Sequence, residues 1–131
     1  MKRVSARGLV VTDKGLAVIF RRRIKDGNVH EYYVVPGGGI EEGEDLIQGL
    51  KRELSEELDI KVNVGDLAFI KETDDRIEYF YNCEFISGNF RLNGEEIERM
   101  SESNYYEPTF IELDKLKDID ISKEVIDYFN K

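Results

Sequence analysis

GLKRELSEELDI, residues 49–60, reads as an amphipathic helix that carries three glutamates close together. Glu53, Glu56 and Glu57 stand at i, i+3 and i+4, so their carboxylates share one face of the helix. Like charges at these spacings destabilise a helix by about 0.2–0.5 kcal/mol per pair, and no lysine lies among them. Such a cluster either has a use or lies on an ordinary solvated face.

The apolar residues of this segment predict how the helix packs. They form one stripe that faces a sheet: Leu46, Ile47, Leu50, Leu54 and Leu58. The helix is expected to run from about Asp45 to Leu58, with Asp45 and Gln48 spaced as a capping box. Gly49 in mid-helix costs about 1 kcal/mol relative to alanine and is expected to leave the space above the carboxylates open. The glutamates therefore lie beside the buried stripe and not opposite it.

A glycine-rich loop, VPGGGIEEGED (residues 35–45), precedes the helix. It has neither the Gly-Lys-Ser/Thr of a P-loop nor the spacing of a dinucleotide-binding motif. Its carbonyl groups beside the carboxylates would give an all-oxygen ligand set, which suits Mg²⁺ or Mn²⁺. Zinc is disfavoured because the chain has one cysteine, Cys83, and one histidine, His30. A divalent cation would turn the repulsion among the glutamates into shared attraction.

The net charge of −9 argues against a nucleic-acid polymer as the main partner. The charge is uneven: residues 1–25 hold eight Lys/Arg and one acid, whereas residues 26–131 hold eleven and twenty-seven. A basic patch beside an acidic helix suits a small phosphorylated ligand that comes with metal ions, although both also occur on ordinary surfaces. Near the N-terminus the apolar run Leu9–Val11 is too short for a signal peptide or a membrane span. We therefore expect a cytoplasmic protein without a membrane partner.

The remaining pattern predicts an α+β fold. Turn residues and alternation predict a hairpin around TDKG (residues 12–15) and a long antiparallel pair around residues 74–75. The predicted strands are 3–11, 16–24, 31–35, 61–73, 76–86 and 107–113. A closing helix at 122–131 is expected to be capped by Ser122. Because no repeat or linker interrupts the chain, we expect a single domain over residues 1–131.

Gly38, Glu44 and the segment Arg52–Ile60 together resemble the Nudix box, G-x5-E-x7-R-E-U-x-E-E-x-G-U, in which U is a bulky aliphatic residue. The match covers residues 38–60 and departs at Asp59, where the family has glycine. That glycine ends the helix in a left-handed conformation, which aspartate tolerates better than most residues. The resemblance implies the Nudix fold, a mixed β-sheet sandwiched between helices.

The resemblance also implies an activity, the hydrolysis of a nucleoside diphosphate linked to another group by attack of water on phosphorus. It implies a set of ligands that hold Mg²⁺ on the pyrophosphate: Glu53, Glu56, Glu57 and the carbonyl of Gly37 or Gly38. Glu53 is further implied to orient or deprotonate the water. Arg52 is implied to pair with a box glutamate and fix its rotamer, and Glu44 to act as a supporting acid.

Residues outside the box determine the substrate, and here two interpretations stay open for each. Arg21 and Arg23 would meet phosphates, or would keep an edge strand soluble. Tyr33 and Tyr105 would stack on a base, or would be ordinary half-buried aromatics. The proline that marks ADP-ribose hydrolases is absent near Asp75. We expect a nucleoside triphosphate or a similar small nucleotide as the substrate of a monomer or homodimer.

A polar segment, NGEEIERMSESN (residues 93–104), is predicted as a solvated charge run or as a flap over the site. In the second case Glu98 or Glu96 reaches the site as a further catalytic acid. A different class of protein also stays open, a Nudix domain that binds a nucleotide or metal without turnover, as a sensor. The full set of box glutamates favours the enzyme.

Overall fold

The computed structural model describes residues 2–93, 97 and 99–130. The predicted strands and helices occur in it in the predicted order, together with a short strand and a 3₁₀ helix that were not predicted. The strands are β1 (Arg3–Thr12), β2 (Gly15–Lys25), β3 (Asn28–Val34), β4 (Gly37–Gly39), β5 (Ile60–Glu72), β6 (Arg76–Gly88) and β7 (Asn104–Ile111). The helices are α1 (Leu46–Leu58), a 3₁₀ helix (Leu113–Asp118) and α2 (Lys123–Phe129). No helix within this described part of the chain is long and apolar enough to cross a membrane.

Strand β1 connects the two parts of the sheet. It pairs with β2 only at their turn, Val11 with Leu16 and Thr12 with Gly15. Over residues 3–10 it pairs in parallel with β6, and it also pairs antiparallel with β4. β5 lies antiparallel to β6, and β2 lies between β3 and β7. The predicted hairpin is thus confirmed at its turn, but β1 then leaves β2 and makes most of its backbone hydrogen bonds with β4 and β6.

Helices cover opposite faces of the sheet. On one face α1 buries three leucines completely: Leu50, Leu54 and Leu58. On the other face the 3₁₀ helix and α2 contribute Leu116 and Val125 to a second cluster around Phe80. Because neighbours on a strand point to opposite faces, β1 serves both clusters, with Val10 in the first and Leu9 in the second. The predicted α+β arrangement, a mixed sheet between helices, is confirmed.

The beginning of α1 agrees with the prediction in its cap and differs in its stripe. Asp45 Oδ1 accepts a hydrogen bond from the Gln48 amide at 2.8 Å, and both halves of the capping box are present. Ile47, however, is 42% exposed and does not belong to the buried stripe. Leu46 lies four residues before Leu50, on the same side of the helix, and is half-buried. Ile47 is the next residue and is rotated by about 100° around the helix axis, away from the sheet.

The beginning of α2 differs from its prediction. Ser122 occupies the N-cap position, but its hydroxyl makes no hydrogen bond to the helix backbone. It donates instead to the Glu124 carboxylate at 2.9 Å, because that acceptor is charged and lies two residues away. The predicted Ser122 cap is therefore wrong, although the helix begins where expected.

Asp59 ends α1 in the left-handed conformation, as predicted. Its backbone angles are φ 54° and ψ 45°, and its amide donates to the carbonyls of Leu54 and Ser55. The structure adds a contact that the sequence did not indicate, because the Asp59 carboxylate accepts a hydrogen bond from Asn89 Nδ2 at 2.8 Å. Asp59 thus has a strained backbone conformation, and its side chain makes a stabilising hydrogen bond with Asn89.

Two substitutions at Asp59 should separate these contributions. Asp59→Ala should lower the free energy of unfolding by about 1–2 kcal/mol, because alanine keeps the left-handed strain and loses the Asn89 contact. Asp59→Gly should stay within about 1 kcal/mol of the wild type, since relief of strain offsets the lost hydrogen bond. Urea denaturation measures both. A glycine variant less stable than the alanine variant would contradict this account of the helix end.

Candidate functional site

Arg52 gathers the acidic side chains at the start and middle of α1. Its Nε and Nη2 donate to the two carboxylate oxygens of Glu44 at 2.9 and 2.7 Å. Its Nη1 donates to Glu53 and Glu56, both at 3.1 Å, and Nη2 also donates to the Gly39 carbonyl at 3.1 Å. These acceptors raise the pKa of Arg52, with Glu44 as the main cause. One guanidinium therefore relieves much of the repulsion that the helix pattern implies.

Glu53 lies between α1 and the glycine strand β4. Its side chain is 22% exposed, and burial raises its pKa against the opposing effect of Arg52. A Cβ added to Gly38 would lie 2.6 Å from the Glu53 carboxylate, so the carboxylate occupies space that only glycine leaves. Gly37 has φ +146° and approaches the Ala6 carbonyl too closely for a side chain. Its amide donates to Glu57 Oε1 at 3.4 Å.

These groups were implied as ligands of a divalent cation, and their chemistry fits one. The Glu53 carboxylate lies against Gly38, and Glu57 accepts a hydrogen bond from the Gly37 amide. Together with the more exposed Glu56 they offer only oxygen donors, the kind that Mg²⁺ and Mn²⁺ prefer. In the described residues, no group of three or more His, Cys, Asp or Glu is arranged to hold a metal ion. Glu53 and Glu56 are hydrogen-bonded to Arg52 in this conformation, so binding of a cation involves a change of their partners.

Gly49 has a different role from the predicted one. A Cβ at this position would lie 2.5 Å from Ile40 Cδ1 and 2.9 Å from Glu44 Oε1. The missing side chain therefore admits Ile40 and Glu44 against the helix and does not leave open space. This close approach brings Glu44 within reach of Arg52, which explains why the helix tolerates a glycine in its middle.

A cavity of about 350 Å³ opens beside Glu53 and Glu57. Five arginines line it, and we call it the arginine cavity: Arg3, Arg7, Arg21, Arg76 and Arg99. Arg7 pairs with Glu78 at 3.0 Å, whereas the ion pairs among the described residues do not include Arg3, Arg21 or Arg76. The cavity thus presents positive charge next to the carboxylates of α1, which suits a phosphorylated ligand.

Of the predicted substrate residues, Arg21 lines this cavity, and the other three do not: Arg23, Tyr33 and Tyr105. Arg21 Nη2 donates to the Tyr106 hydroxyl at 3.0 Å, and its buried Nε has no hydrogen-bond partner among the described residues. Arg23 is exposed further along β2. Tyr33 lines a neighbouring cavity. Tyr105 packs under the Arg22 guanidinium, which lies 5.1 Å from its ring centre, and does not line the arginine cavity.

The arginines of β1 and β6 were not predicted as site residues. Arg3 and Arg7 are four residues apart on β1, so they point to the same face, and Arg3 pairs directly with Arg76. The even spacing of Arg3 and Arg7 could have indicated from the sequence that both lie on one face of a strand. Arg76 comes beside them only through the pairing of β1 with β6, which the sequence did not indicate. Glu96 and Glu98 lie outside the described residues, so the catalytic acid predicted there stays a prediction.

Glu44 provides a pH test of the Arg52 network. The Arg52 hydrogen bond is the main cause that lowers the pKa of Glu44 from its ordinary 4.5 to about 2. Because the folded pKa lies below the unfolded one, this stabilisation is present above about pH 4.5 and is lost as the pH falls towards 2. Glu44→Gln should therefore have a lower Tm than the wild type at pH 7, and the difference should shrink below pH 4.5. Melting curves with an unchanged difference down to acid pH would contradict this.

The layered fold and the acidic helix packed on a glycine strand define a Nudix domain. The family model described as the NUDIX domain matches residues 1–129. The chain therefore belongs to the Nudix family, and the predicted resemblance is confirmed.

Individual relatives agree with this assignment. The chain is 38% identical over 72 residues to the RNA pyrophosphohydrolase of Pelagibacter ubique (strain HTCC1062), a match that covers 55% of this chain and 42% of that protein. The match thus spans less than half the length of this curated relative. Among solved structures, the MutT NUDIX hydrolase from Burkholderia pseudomallei has a TM-score of 0.72 at 20% identity, covering 99% of this chain and 97% of that one. An ADP-ribose pyrophosphatase from Streptococcus suis 89-1591 has 0.69 at 16% identity, covering 98% and 90%. At these identities the structural likeness shows the fold alone.

Proposed function

We propose that this protein is a nucleotide pyrophosphohydrolase that works with Mg²⁺ or Mn²⁺. Its substrate is a nucleoside diphosphate linked to another group, and a nucleoside triphosphate or similar small nucleotide is favoured. The observation that carries the proposal is the composition of one cavity, in which Glu53 and Glu57 stand together with five arginines. Carboxylates bind divalent cations and guanidinium groups bind phosphates, so the cavity suits a polyphosphate that arrives with its metal ion.

Different side chains bind the phosphates, accept the proton of the attacking water and position the glutamates. The arginine cavity binds the phosphates and orients them for attack by water. Glu53 accepts the proton of that water, a role that its partial burial and the resulting rise of its pKa support. Arg52 positions Glu53 and Glu56 through its hydrogen bonds. Glu53, Glu56, Glu57 and the carbonyl of Gly37 or Gly38 would hold the divalent cation, which would supply charge neutralisation and a stronger nucleophile.

One relative favours a second substrate. The protein from Pelagibacter ubique is named an RNA pyrophosphohydrolase. The 5′ end of an RNA carries the same phosphate chain as a free nucleotide, so the arginine cavity would serve both. The net charge of −9 disfavours long contacts with an RNA backbone, and we therefore expect free nucleotides to be preferred.

A nucleotide panel tests the proposed function. Nucleoside triphosphates, nucleoside diphosphate sugars and a 5′-triphosphorylated RNA are incubated with Mg²⁺, Mn²⁺ or EDTA, and the products are separated by ion-exchange chromatography. We expect nucleoside monophosphate and pyrophosphate from the triphosphates with either metal, and no product in EDTA. Full activity in EDTA would overturn the metal-dependent mechanism. Binding of nucleotides without any turnover would favour the sensor.

A further inference from the structure

Two grooves open along one side of α1. A groove of about 760 Å³ lies at the beginning of the helix, where Ile47 belongs to its lining. A second groove of about 400 Å³ lies further along the helix and is lined by Lys51 and Ser55. Because these three residues are spaced at i, i+4 and i+8, they lie on one side of the helix. Both grooves therefore open on that side, and neither shares a lining residue with the arginine cavity.

The two grooves carry opposite charge. Four acids and one lysine line the first, which we call the acidic groove: Glu41, Glu42, Glu44, Asp45 and Lys2. Two lysines and no acid are among the described residues that line the second, which we call the basic groove: Lys51 and Lys61. Glu42 and both lysines of the basic groove are exposed, and within the described part of the chain none of the three forms an ion pair. Each groove thus presents charge of the sign that the other lacks.

Exposed apolar side chains accompany both grooves. Val4 and Ile47 line the acidic groove and are 37% and 42% exposed, and Ile86 lines the basic groove and is 48% exposed. Leu67, which is 46% exposed, pairs with Tyr81 of the acidic groove and therefore points to the same face of the sheet. Apolar surface that is rimmed by charged residues marks interaction sites. The surface that holds both grooves is therefore a candidate interface.

The charges decide which partner this surface suits. The phosphates of a nucleic acid or an anionic membrane would meet the acids of the acidic groove, and a partner of a single charge sign would leave one groove without a counterpart. A second copy of the chain carries both signs. Rotation by 180° about an axis between the grooves places the acidic groove of each copy on the basic groove of the other, so every contact occurs twice.

We propose that the two grooves form the interface of a symmetric homodimer. In this dimer the acids around Glu42 face Lys51 and Lys61 of the second copy, and the exposed apolar side chains of both copies pack between the two charged contacts. The inference goes beyond the proposed function and does not depend on it, because none of these side chains lines the arginine cavity. Its test accordingly requires no turnover.

Sedimentation velocity over a series of protein concentrations measures the association. The wild type should show a reversible equilibrium between monomer and dimer that weakens as salt is added, because salt screens the exposed charges. The double variant Lys51→Glu, Lys61→Glu should raise the dissociation constant of the dimer by about 100-fold or more, since like charges then meet in both contacts. A wild type that stays monomeric at every concentration, or that associates beyond the dimer, would overturn the proposal.

A mixture of two charge-reversed variants tests whether the grooves face each other. The double variant Glu41→Lys, Glu42→Lys should be as weakly associated as the lysine variant, because two positive grooves then meet. An equimolar mixture of both variants should form a heterodimer, because opposite charges meet again in both contacts. A mixture that stays monomeric would show that the acidic groove does not bind the basic groove.

The double variant Lys115→Glu, Lys117→Glu is the matched control. Both lysines are exposed on the 3₁₀ helix at the opposite face of the sheet, and the net charge changes by the same amount. This variant should keep the wild-type dissociation constant, and a rise equal to that of the groove variant would overturn the proposed surface. If thermal melting shows a groove variant to be unfolded, Ile47→Ser at its exposed position carries the comparison. It should also raise the dissociation constant, and an unchanged value would contradict the proposal.

Discussion

Glu56→Gln is expected to lower kcat by about 10³-fold while the fold stays intact. The Glu56 side chain is 64% exposed and accepts one hydrogen bond from Arg52 at 3.1 Å, which a glutamine oxygen can also accept. The substitution therefore removes one negative charge and little packing. Loss of a carboxylate from a cation site costs several kcal/mol of transition-state stabilisation, and each 1.36 kcal/mol is a factor of ten. Initial rates at saturating nucleotide and Mg²⁺ measure the change.

Glu84→Gln is the control for this loss of charge. Glu84 is an exposed residue of β6 that also accepts one hydrogen bond, from Asn63 at 3.1 Å. Its variant should keep the wild-type rate. In EDTA, Glu56→Gln should melt at the wild-type temperature or slightly above it, because a repulsive charge on α1 is gone. Wild-type turnover by Glu56→Gln would show that the glutamates of α1 do not form the catalytic centre.

Arg52→Ala is expected to have the largest effect on stability. It leaves the carboxylates of Glu44 and Glu53, only 15% and 22% exposed, without their common donor. Removing one partner of a buried ion pair costs about 3–5 kcal/mol, and partial exposure reduces this to about 2–4 kcal/mol here. Urea denaturation in EDTA measures the free energy of unfolding. Arg52→Lys should recover only part of it, because lysine keeps the charge and lacks the planar fork that binds Glu44 at two atoms.

The same variant tests whether the cluster binds a cation. Without Arg52, the repulsion among the glutamates of α1 is uncompensated, so Mg²⁺ should raise the Tm of Arg52→Ala by more than it raises that of the wild type. This readout requires no turnover. An equal rise in both proteins would indicate that the stabilising ion binds away from the α1 carboxylates.

Local sequence patterns predicted the parts of the fold that local interactions decide. The spacing of Asp45 and Gln48 predicted the cap of α1, and the departure at Asp59 predicted a left-handed residue. The sequence pattern did not predict the hydrogen-bond partner of a side chain that has two acceptors within reach. Ser122 prefers the Glu124 carboxylate to the backbone of α2, and no spacing rule distinguishes those two acceptors.

The candidate site was predictable on α1 and less so beyond it. The Nudix box identified the glutamates and Arg52, because a helix repeats on a short period that the sequence displays. It did not show that Gly49 admits Ile40 and Glu44, since this contact depends on how the preceding loop folds back. The arginine cavity was missed for a related reason. Its wall requires the pairing of β1 with β6, which joins distant segments and has no local signature.

The parallel pairing of β1 with β6 also has a consequence for the order in which the parts of the site form during folding. Arg7 and Glu78, which form an ion pair at 3.0 Å, are 71 residues apart in the chain. Helices form from local contacts, whereas contacts of such sequence separation come late because a long loop must first close. We therefore expect the carboxylates of α1 to come together during refolding before the arginines that lie opposite them. In stopped-flow refolding we therefore expect the helical circular-dichroism signal to return before the binding of a polyphosphate probe.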